Sequence, residues 1–594
     1  MATSEYDDSG NLDTLNANLA RIEGLTQRLI AAFAQKQPQR QDLQGPDSAL
    51  YLNASAAYWA EMVQNPSKIL EHQVEYWGKT LKHFVEAQEA LRTGNLEAPE
   101  DRTPDDKRFK NPLWRTHPYF NYIKQQYLLS SEAIEKAISD IDSLDDREKT
   151  RLEFFGKQIV DMMAPTNFLS SNPDALMKAV ETEGESLVLG MENLVRDIEA
   201  NNGELLVTLA DRDAFKIGGN IGTSEGAVVY RNRMFELIQY KPQTEQVHET
   251  PLLIFPPWIN KFYILDLKAQ NSFVKWVTEQ GYTLFIVSWV NPDATYADVG
   301  MDTYVEEGFL EAIAKVKEIC KVKAINAIGY CIAGTTLSMT LALMEKRKDK
   351  SVKSATFFTA LTDFSDQGET GVFLDNDFVD GIEAEAREQG YLRSYFMTKT
   401  FSYLRSNDLI YAPAIRSYML GEAPPAFDLL FWNGDGANLP GRMVVEYLRE
   451  LCQSNTFCEE GYDLLGETVH ISGVKLPVCS IACETDHIAA WPSCFRGVAQ
   501  MGSNNKTFIL SESGHIAGIV NPPSKKKYGH YTSDAPIDDP DAWRAGADFN
   551  EGSWWPRWEK WLRARSGKMI PARELPEEVL APAPGTYVVA KPNG

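Results

Sequence analysis

The chain has 594 residues, more than one ordinary domain holds, and its 43% hydrophobic and 24% charged residues are typical of a globular protein. A formal net charge of −24 argues against nucleic acid as a partner, and no stretch reaches the roughly 18 apolar residues of a transmembrane segment. The seven cysteines lack the spacing of a disulfide framework or a metal site, and the acidic N-terminus lacks a signal-peptide core, so we expect a cytoplasmic protein without a bound metal.

The first third of the chain carries apolar residues at helical spacing. One set predicts an amphipathic helix: Leu15, Leu19, Ile22, Leu25, Leu29 and Phe33. After a polar linker at 35–48, a second set fits either contact with a partner helix or packing inside the same domain: Leu70, Val74, Trp77, Leu81 and Phe84. Because no strand pattern precedes residue 205, we predict an α-helical N-terminal domain at residues 1–203.

Beyond residue 205, short apolar runs alternate with helical segments. Six runs are candidate strands: Leu252–Phe255, Leu284–Trp289, Ala324–Ile328, Ala355–Phe358, Val478–Ala482 and Thr507–Leu510. Strands separated by helices predict parallel βαβ units and a doubly wound sheet. We place this second domain at residues 204–594.

The third run leads into Gly-Tyr-Cys-Ile-Ala-Gly at residues 329–334, and helix-forming residues follow. A nucleophile between small residues, after a strand and before a helix, is typical of the nucleophile elbow of the α/β-hydrolase fold. The alternative is a small buried cysteine at the end of a strand, since free cysteines are often buried. The pattern therefore predicts an α/β-hydrolase fold with Cys331 as its nucleophile.

One connection in this domain is unusually long. About 110 residues separate the fourth and fifth candidate strands, where a helix and short loops suffice. This segment is rich in aromatic residues, and it lies where such folds insert a cap over the active site. We predict a water-excluding cap at about 364–473; a structural subdomain away from the site is the alternative.

A cysteine nucleophile needs a base, because little of an ordinary thiol is ionised at neutral pH. In this fold the acid and then the base follow the nucleophile along the chain, on loops after late strands. One such loop contains Glu484, Asp486 and His487, and the next contains His515. We favour Asp486 over Glu484 because it lies deeper in its loop, and His515 over His487 because a base beside its acid cannot easily turn back to it.

The oxyanion formed by attack on a carbonyl needs two N–H donors. One belongs to the residue after the nucleophile, Ile332, and the other to the loop after the strand beside the elbow. That loop begins Phe-Pro-Pro-Trp at residue 255, and prolines donate no N–H, so we predict Trp258 as the second donor. A cysteine suits exchange of acyl groups between thiols, so these residues favour acyl transfer over hydrolysis. An anionic substrate would need a local basic patch, which the sequence alone does not locate.

Longer stretches of the chain resemble the polyhydroxyalkanoate synthases, most closely the class I type that acts without a partner subunit. The matching segments follow the family's order: Ala164–Leu176, Glu236–Leu267, Val287–Asp293, Gly329–Thr336, Ser406–Tyr411, Pro424–Met443, Glu484–Trp491, Ser513–Pro523 and Gly552–Trp558. One position departs from the family pattern, because Ala333 stands where the family usually has glycine. The number of these segments and their order support the resemblance. The cysteine motif alone would be weak evidence for it.

The resemblance implies that Cys331 is the nucleophile and His515 the base, while Asp486 orients the histidine or activates the hydroxyl of the incoming monomer. It implies polymerisation of (R)-3-hydroxyacyl-CoA, with short-chain monomers such as 3-hydroxybutyryl-CoA, into polyester with release of CoA. No cofactor is implied beyond the CoA of the substrate. It also implies a homodimer whose helical domain attaches to polymer granules, with granule-associated proteins as partners.

Two other functions compete with this one. A cysteine-dependent acyl-CoA thioesterase or other hydrolase of the same fold would share every catalytic residue and differ only in the fate of the acyl group. A granule-coating protein without activity would bind polymer through its amphipathic helices, although the complete Cys-Asp-His set argues against it. Formation of polymer rather than free acid excludes the hydrolase, and any release of CoA excludes the coating protein.

Overall fold

The computed structural model describes residues 8–34, scattered positions between 56 and 92, and residues 106–591 apart from 142, 143 and 202. The predicted linker and most of the second apolar set lie outside these residues. The chain forms two compact units: Met1–Asp211 with Phe401–Pro425, and Arg212–Thr400 with Ala426–Gly594. The first unit thus extends beyond residue 203 and includes residues 401–425 of the predicted cap segment.

The described part of the first unit is built from helices. Its α-helices are Asp8–Ala34, Leu113–Thr116, Pro118–Ser139, Asp146–Met162, Pro173–Glu181, Glu185–Ala200 and Ala412–Ala414, with 3₁₀ turns at Lys107–Phe109 and Pro165–Asn167 and π-helical turns at Asn407–Tyr411 and Ile415–Met419. The predicted first amphipathic helix lies within Asp8–Ala34, and its Leu25 is buried against Val188 and Val195. Among the described helices, none is both long and apolar enough to cross a bilayer.

Segment 401–425 is fastened to helix Glu185–Ala200 within the first unit. A Cβ atom built on Gly190 would stand 2.1 Å from the carbonyl oxygen of Tyr418, so only glycine lets the two backbones approach this closely. The side-chain amide of Asn193 donates hydrogen bonds to two carbonyl groups of the segment, at 3.0 and 3.1 Å. Backbone groups of the segment are therefore paired by this helix rather than left without partners.

The second unit is organised around one eleven-stranded sheet. Its strands in chain order are β1 Gly226–Arg231, β2 Phe235–Tyr240, β3 Leu252–Phe255, β4 Leu284–Trp289, β5 Ile325–Tyr330, β6 Val352–Phe358, β7 Val478–Cys483, β8 Lys506–Ser511, β9 His530–Thr532, β10 Asp548–Asn550 and β11 Ala581–Pro582. They lie side by side in the order β10-β9-β8-β7-β6-β5-β3-β4-β2-β1-β11. Strands β3 to β8 are parallel, whereas β2 is antiparallel to β1 and β4. This topology is that of the α/β-hydrolase fold, so the predicted fold class is confirmed, and all six predicted strands are present.

Helices and short elements connect these strands. The α-helices are Phe273–Glu279, Met301–Thr303, Glu311–Cys320, Ile332–Lys346, Asn376–Gln389, Ser394–Leu404, Asp428–Asn433, Gly441–Glu446, Trp491–Gln500, Pro540–Ala545 and Trp555–Arg563, and Tyr304–Leu310 and Tyr447–Gln453 are π-helical. The 3₁₀ turns are Phe262–Asp266, Ala294–Tyr296, Gly368–Phe373, Ile471–Gly473 and Pro523–Lys525. Three short antiparallel pairs are Gln246–His248 with Met569–Pro571, Tyr462–Leu464 with Glu467–Val469, and Tyr391–Leu392 with Leu439–Pro440.

The core of this unit lies around the central strands. Every residue of β2, β3, β4, β5 and β7 is buried, as expected for a largely parallel sheet that is covered on both faces. Because β5, β7 and β8 are parallel, the segments that follow them begin at the same edge of the sheet. Cys331, the loop after Cys483 and the loop after Ser511 are therefore brought to one edge.

Replacing Gly190 by alanine should destabilise the first unit, because the added methyl group collides with the backbone of Tyr418. We expect a loss of about 1–3 kcal/mol, the usual cost of overpacking. Gly24 is the matched control, since it also lies inside a helix of this unit but has no packed neighbour among the described residues within 4 Å of a Cβ built there. Gly24→Ala should stabilise the helix by up to about 1 kcal/mol.

Thermal unfolding midpoints and protease cleavage within residues 401–425 measure both effects. Gly190→Ala should lower the midpoint and speed cleavage of the segment, whereas Gly24→Ala should do neither. Equal midpoints for the two variants would contradict the packing of the segment on this helix.

Candidate active site

Cys331 lies on a strained turn between β5 and helix Ile332–Lys346. Its backbone φ of 54° and ψ of −127° are rarely adopted by residues other than glycine. The turn is held by backbone hydrogen bonds, since the Cys331 N–H donates to the carbonyl of Phe358 at the end of β6 at 2.9 Å and the Gly334 N–H donates to the Cys331 carbonyl at 2.8 Å. Cys331 is partly exposed, although the residues on both sides of it are buried.

Small residues beside Cys331 make the turn possible. A Cβ built on Gly329 would lie 2.6 Å from the Cα of Gly334, and one built on Gly334 would lie 2.4 Å from the Cβ of Ala360. The backbone around Gly329 and Gly334 is therefore packed so closely that a side chain at either position would collide with its neighbours. Ala333, where the resembled family usually has glycine, is fully buried, so the fold accommodates its methyl group close to Cys331.

The structure brings Asp486 and His515 together. His515 Nδ1 lies 2.7 Å from Asp486 Oδ2, and both side chains are almost wholly buried. The other carboxylate oxygen, Oδ1, accepts the backbone N–H groups of Ile488 at 2.8 Å and Ala489 at 2.9 Å. Because a carboxylate only accepts hydrogen bonds, Nδ1 carries the proton, and Nε2 is free to take a proton from a nucleophile.

The charge state of His515 is set by opposing effects. Burial lowers the pKa of His515, but the Asp486 carboxylate and the Cys331 sulfur outweigh burial and raise that pKa above its ordinary value. The Cys331 side chain lies close enough to the imidazole for a direct interaction. The raised pKa strengthens the hold of the imidazole on a proton, which suits a group that takes the proton of a nucleophile.

The competing acid and histidine on the Asp486 loop occupy other places. Glu484 accepts a hydrogen bond from Arg544 at 2.9 Å and is partly exposed, so its carboxylate is committed to an ion pair away from the histidine. His487 is partly exposed, in contrast to the buried His515.

The predicted oxyanion loop lies next to the elbow. Phe255 at the end of β3 pairs with Gly329 of β5, so the loop that follows Phe255 leaves the sheet beside Cys331. The indole of Trp258 is buried and stacks on Tyr304 with ring centroids 4.3 Å apart.

Neighbouring elements hold this loop at both ends. Trp289 donates its indole N–H to the carbonyl of Pro256 at 2.8 Å. At the other end, the ammonium group of Lys261 lies 2.8 Å from the carboxylate of Asp435. Ile332 supplies the first N–H of its helix, and no preceding helical turn offers an acceptor to such a group.

Three further side chains, which the sequence analysis did not identify, support the histidine loop. Tyr330 donates its hydroxyl to the carbonyl of His515 at 3.2 Å. Trp554 and Trp555 donate their indole N–H groups to the carbonyls of Gly518 at 2.7 Å and of residue 519 at 2.9 Å. The adjacent tryptophans were visible in the sequence as part of a family motif, but their role in this loop was not.

The predicted cap segment also contributes to the surroundings of Cys331. Tyr447 packs edge-on against Phe364 with ring centroids 5.9 Å apart. Burial raises the pKa of Tyr447 well above its ordinary value, and the sulfur atoms of Cys452 and Cys331 raise it further. The hydroxyl group of Tyr447 thus stays protonated, and it lies close enough to Cys331 for an electrostatic interaction.

Comparison with known proteins indicates the family to which this chain is similar. The model "Poly-beta-hydroxybutyrate polymerase (PhaC) N-terminus" matches residues 105–277. The chain is 37% identical over 544 residues to the poly(3-hydroxyalkanoate) polymerase subunit PhaC of Rhizobium meliloti, across 91% of this chain and 88% of that protein. It is 38% identical to the protein of the same name from Cupriavidus necator, across 89% of each chain, and 39% identical to the poly(3-hydroxyalkanoate) polymerase of Methylorubrum extorquens, across 89% and 88%.

Among solved structures, a soluble variant of monoglyceride lipase from Saccharomyces cerevisiae aligns with a TM-score of 0.37 and 10% identity, across 60% of this chain and 99% of that one. The assignment to a family comes from the sequence relatives, whose similarity extends over almost their whole length. By this similarity, the chain belongs to the poly(3-hydroxyalkanoate) polymerase family of enzymes.

Proposed function

We propose that this polymerase joins (R)-3-hydroxyacyl units from CoA thioesters into polyester through an acyl-enzyme on Cys331. Short-chain units such as 3-hydroxybutyryl are the proposed monomers, and no cofactor is required beyond the CoA carried by the substrate. The observation that carries the proposal is the buried Asp486–His515 hydrogen bond, whose imidazole faces a cysteine on a strained elbow. A homodimer at the surface of polymer granules, with granule-associated proteins nearby, is part of the same proposal.

Acylation begins when His515 Nε2 takes the proton of the Cys331 thiol. The sulfur attacks the thioester carbonyl, and the backbone N–H groups of Ile332 and Trp258 stabilise the resulting oxyanion. The carbonyl re-forms, the bond to the CoA sulfur breaks, and the imidazolium returns its proton to the departing CoA thiolate. The product is an acyl-cysteine with the same number of thioester bonds as before, so the step is nearly balanced in free energy.

Elongation uses the hydroxyl group of a second monomer or of the growing chain. Its oxygen attacks the acyl-cysteine carbonyl, its proton passes to the imidazole, and the Cys331 thiolate leaves and is reprotonated. Both oxygens of Asp486 are already engaged, by His515 on one side and by two backbone N–H groups on the other. This supports an orienting role for Asp486 over direct removal of the hydroxyl proton.

Cys331→Ala should lower the release of CoA from 3-hydroxybutyryl-CoA by at least about a thousandfold, because no other group can form the acyl-enzyme. Free CoA thiol measures the release, and turbidity against free 3-hydroxy acid distinguishes polymerisation from hydrolysis. The matched control is Cys320→Ala, which removes a buried thiol at the end of helix Glu311–Cys320. Retained turnover in Cys331→Ala would end the assignment of the nucleophile, and free acid without turbidity in the wild type would favour the hydrolase.

Asp486→Asn should slow alkylation of Cys331 by iodoacetamide at pH 7 by about tenfold or more. The Asp486 charge raises the pKa of His515, so its removal lets burial lower that pKa. The imidazole then loses its proton at lower pH, so at pH 7 its positive charge no longer assists the reaction of the Cys331 sulfur, and the pH profile of alkylation changes. Mass spectrometry identifies the labelled cysteine. Glu484→Gln makes a similar charge change on the same loop and should leave the profile in place; an equal shift in both variants would contradict a specific role for Asp486.

Trp289→Phe should lower kcat about tenfold, or about 1.4 kcal/mol, with little change in KM, because the Pro256 carbonyl loses its donor and the oxyanion loop is less well placed. Trp543→Phe is the control, since Trp543 is also buried but its indole N–H has no partner among the described residues. Steady-state kinetics with unfolding midpoints measure both variants. If kcat falls equally in both variants, the fall results from altered packing and not from the loss of the hydrogen bond to Pro256.

A further inference from the structure

We propose that Asp435 is a positioning residue for acyl transfer, because it holds Lys261 and with it the loop that contains the predicted oxyanion donor Trp258. The inference rests on the proposed function and identifies what keeps the second oxyanion donor in place. Stabilisation of an oxyanion depends on N–H groups that already point at the developing charge before the reaction begins. Loops are more mobile than strands and helices, so this loop needs fixed contacts to meet that requirement.

The side chain of Trp258 does not fix the loop through a hydrogen bond. The residue is buried, but its indole N–H has no hydrogen-bond partner among the residues that the structure describes. Trp289 fixes the start of the loop through the carbonyl of Pro256, two residues before Trp258. The placement of the Trp258 backbone N–H therefore also depends on what holds the residues that follow it, at 259–261.

Residues 259–261 are held by residues 432–437, which lie within the predicted cap segment. The Ala437 N–H donates to the carbonyl of residue 259 at 2.9 Å, and residues 260 and 436 form an antiparallel bridge. The indole N–H of Trp432 donates to the carbonyl of Lys261 at 2.7 Å. Three consecutive residues of the oxyanion loop are therefore paired with one short stretch of the cap segment.

An ion pair between Lys261 and Asp435 completes this junction. The ammonium nitrogen lies 2.8 Å from Asp435 Oδ1, and the lysine side chain is only 8% exposed. The other carboxylate oxygen, Oδ2, accepts the hydroxyl of Tyr263 at 2.8 Å. Burial and the carboxylate raise the pKa of Tyr263 well above its ordinary value, so this hydroxyl remains a donor. Because a nearly buried ammonium group is unfavourable without its carboxylate, the charge of Asp435 determines where the Lys261 side chain lies.

The backbone around Asp435 is fixed by contacts that do not involve the Lys261 side chain. The Asp435 N–H donates to a carbonyl at the end of helix Asp428–Asn433 at 3.0 Å. Three residues further along, the side-chain amide of Asn438 donates to the carbonyl of Pro292 at 3.1 Å. The carboxylate is thus presented by a braced segment, from which it positions the oxyanion loop through the lysine.

Asp435→Asn tests this role, because it removes the charge and keeps the size of the side chain. With 3-hydroxybutyryl-CoA, kcat for CoA release should fall about tenfold while KM stays within about twofold, since contacts to the oxyanion are made in the transition state. Alkylation of Cys331 by iodoacetamide at pH 7 forms no oxyanion, so its rate should stay within about twofold. Asp435→Glu keeps the charge and should restore part of the lost kcat.

A second variant shows whether the carboxylate acts through the lysine. In a chain that already carries Lys261→Met, the further change Asp435→Asn should alter kcat by less than about twofold, because the partner of the carboxylate is already absent.

Asp428→Asn is the matched control. The Asp428 carboxylate also forms an ion pair, with the ammonium group of Lys268 at 3.0 Å, and its side chain is more buried than that of Asp435. Lys268 lies outside the oxyanion loop, so this variant should leave kcat and the alkylation rate unchanged.

Three results would overturn the inference while the proposed function stands: unchanged kcat in Asp435→Asn, an equal fall of kcat in Asp428→Asn, or equal slowing of CoA release and alkylation in Asp435→Asn. Wild-type enzyme that released no CoA from the thioester would overturn the proposed function, and the inference with it.

Discussion

The active site depends on one buried hydrogen bond, between Asp486 and His515, and that bond depends on the register of two parallel strands. In β7 and β8, Cys483 lies opposite Ser511, so the loops that follow start side by side. Backbone hydrogen bonds then continue past the strands, from the N–H of Glu484 to the carbonyl of Ser511 at 2.8 Å and from residue 485 to residue 513 at 3.0 Å. A shift of one residue in this register would displace the start of one loop relative to the other by about 3.3 Å, more than the length of the hydrogen bond between Asp486 and His515.

Tryptophan side chains hold the loops around this hydrogen bond. Trp289 fixes the loop after β3, and Trp554 and Trp555 fix the loop after β8, in each case by donating an indole N–H to a backbone carbonyl. An indole donates one hydrogen bond and accepts none, and the rest of the ring packs as a large apolar body. The same side chain thus satisfies a buried carbonyl and fills the core, which positions the loops without adding charge near the reacting atoms.

The parts of the fold that can be predicted from the sequence are those whose residue pattern is visible within one short stretch of the chain. Strands β3 to β8 are short apolar runs, so the central sheet was predicted correctly, and the glycines around Cys331 mark the tight turn that the structure has there. Strands β1 and β2 were missed because their pattern includes a charged residue: Glu236 is fully buried, yet its carboxylate is paired with Arg231 and accepts hydrogen bonds from Thr586 and the N–H of residue 587. Thr586 lies 350 residues from Glu236 in the chain, so the local residue pattern around Glu236 does not indicate this pairing.

The same limit applies to tertiary packing elsewhere. Nothing in segment 401–425 indicates that it belongs with the N-terminal helices, because the decisive contact is a glycine, Gly190, on a distant helix.

The backbone angle at residue 331 also narrows the choice of nucleophile. With φ at 54°, a side chain branched at Cβ would clash with the adjoining backbone, so threonine is unsuited to this position, whereas an unbranched thiol or primary alcohol fits. Of these two groups, a thiolate leaves more readily than an alkoxide, so in the proposed mechanism sulfur suits an acyl group that is passed on repeatedly. A single strained peptide bend thus limits which acyl carriers residue 331 can provide.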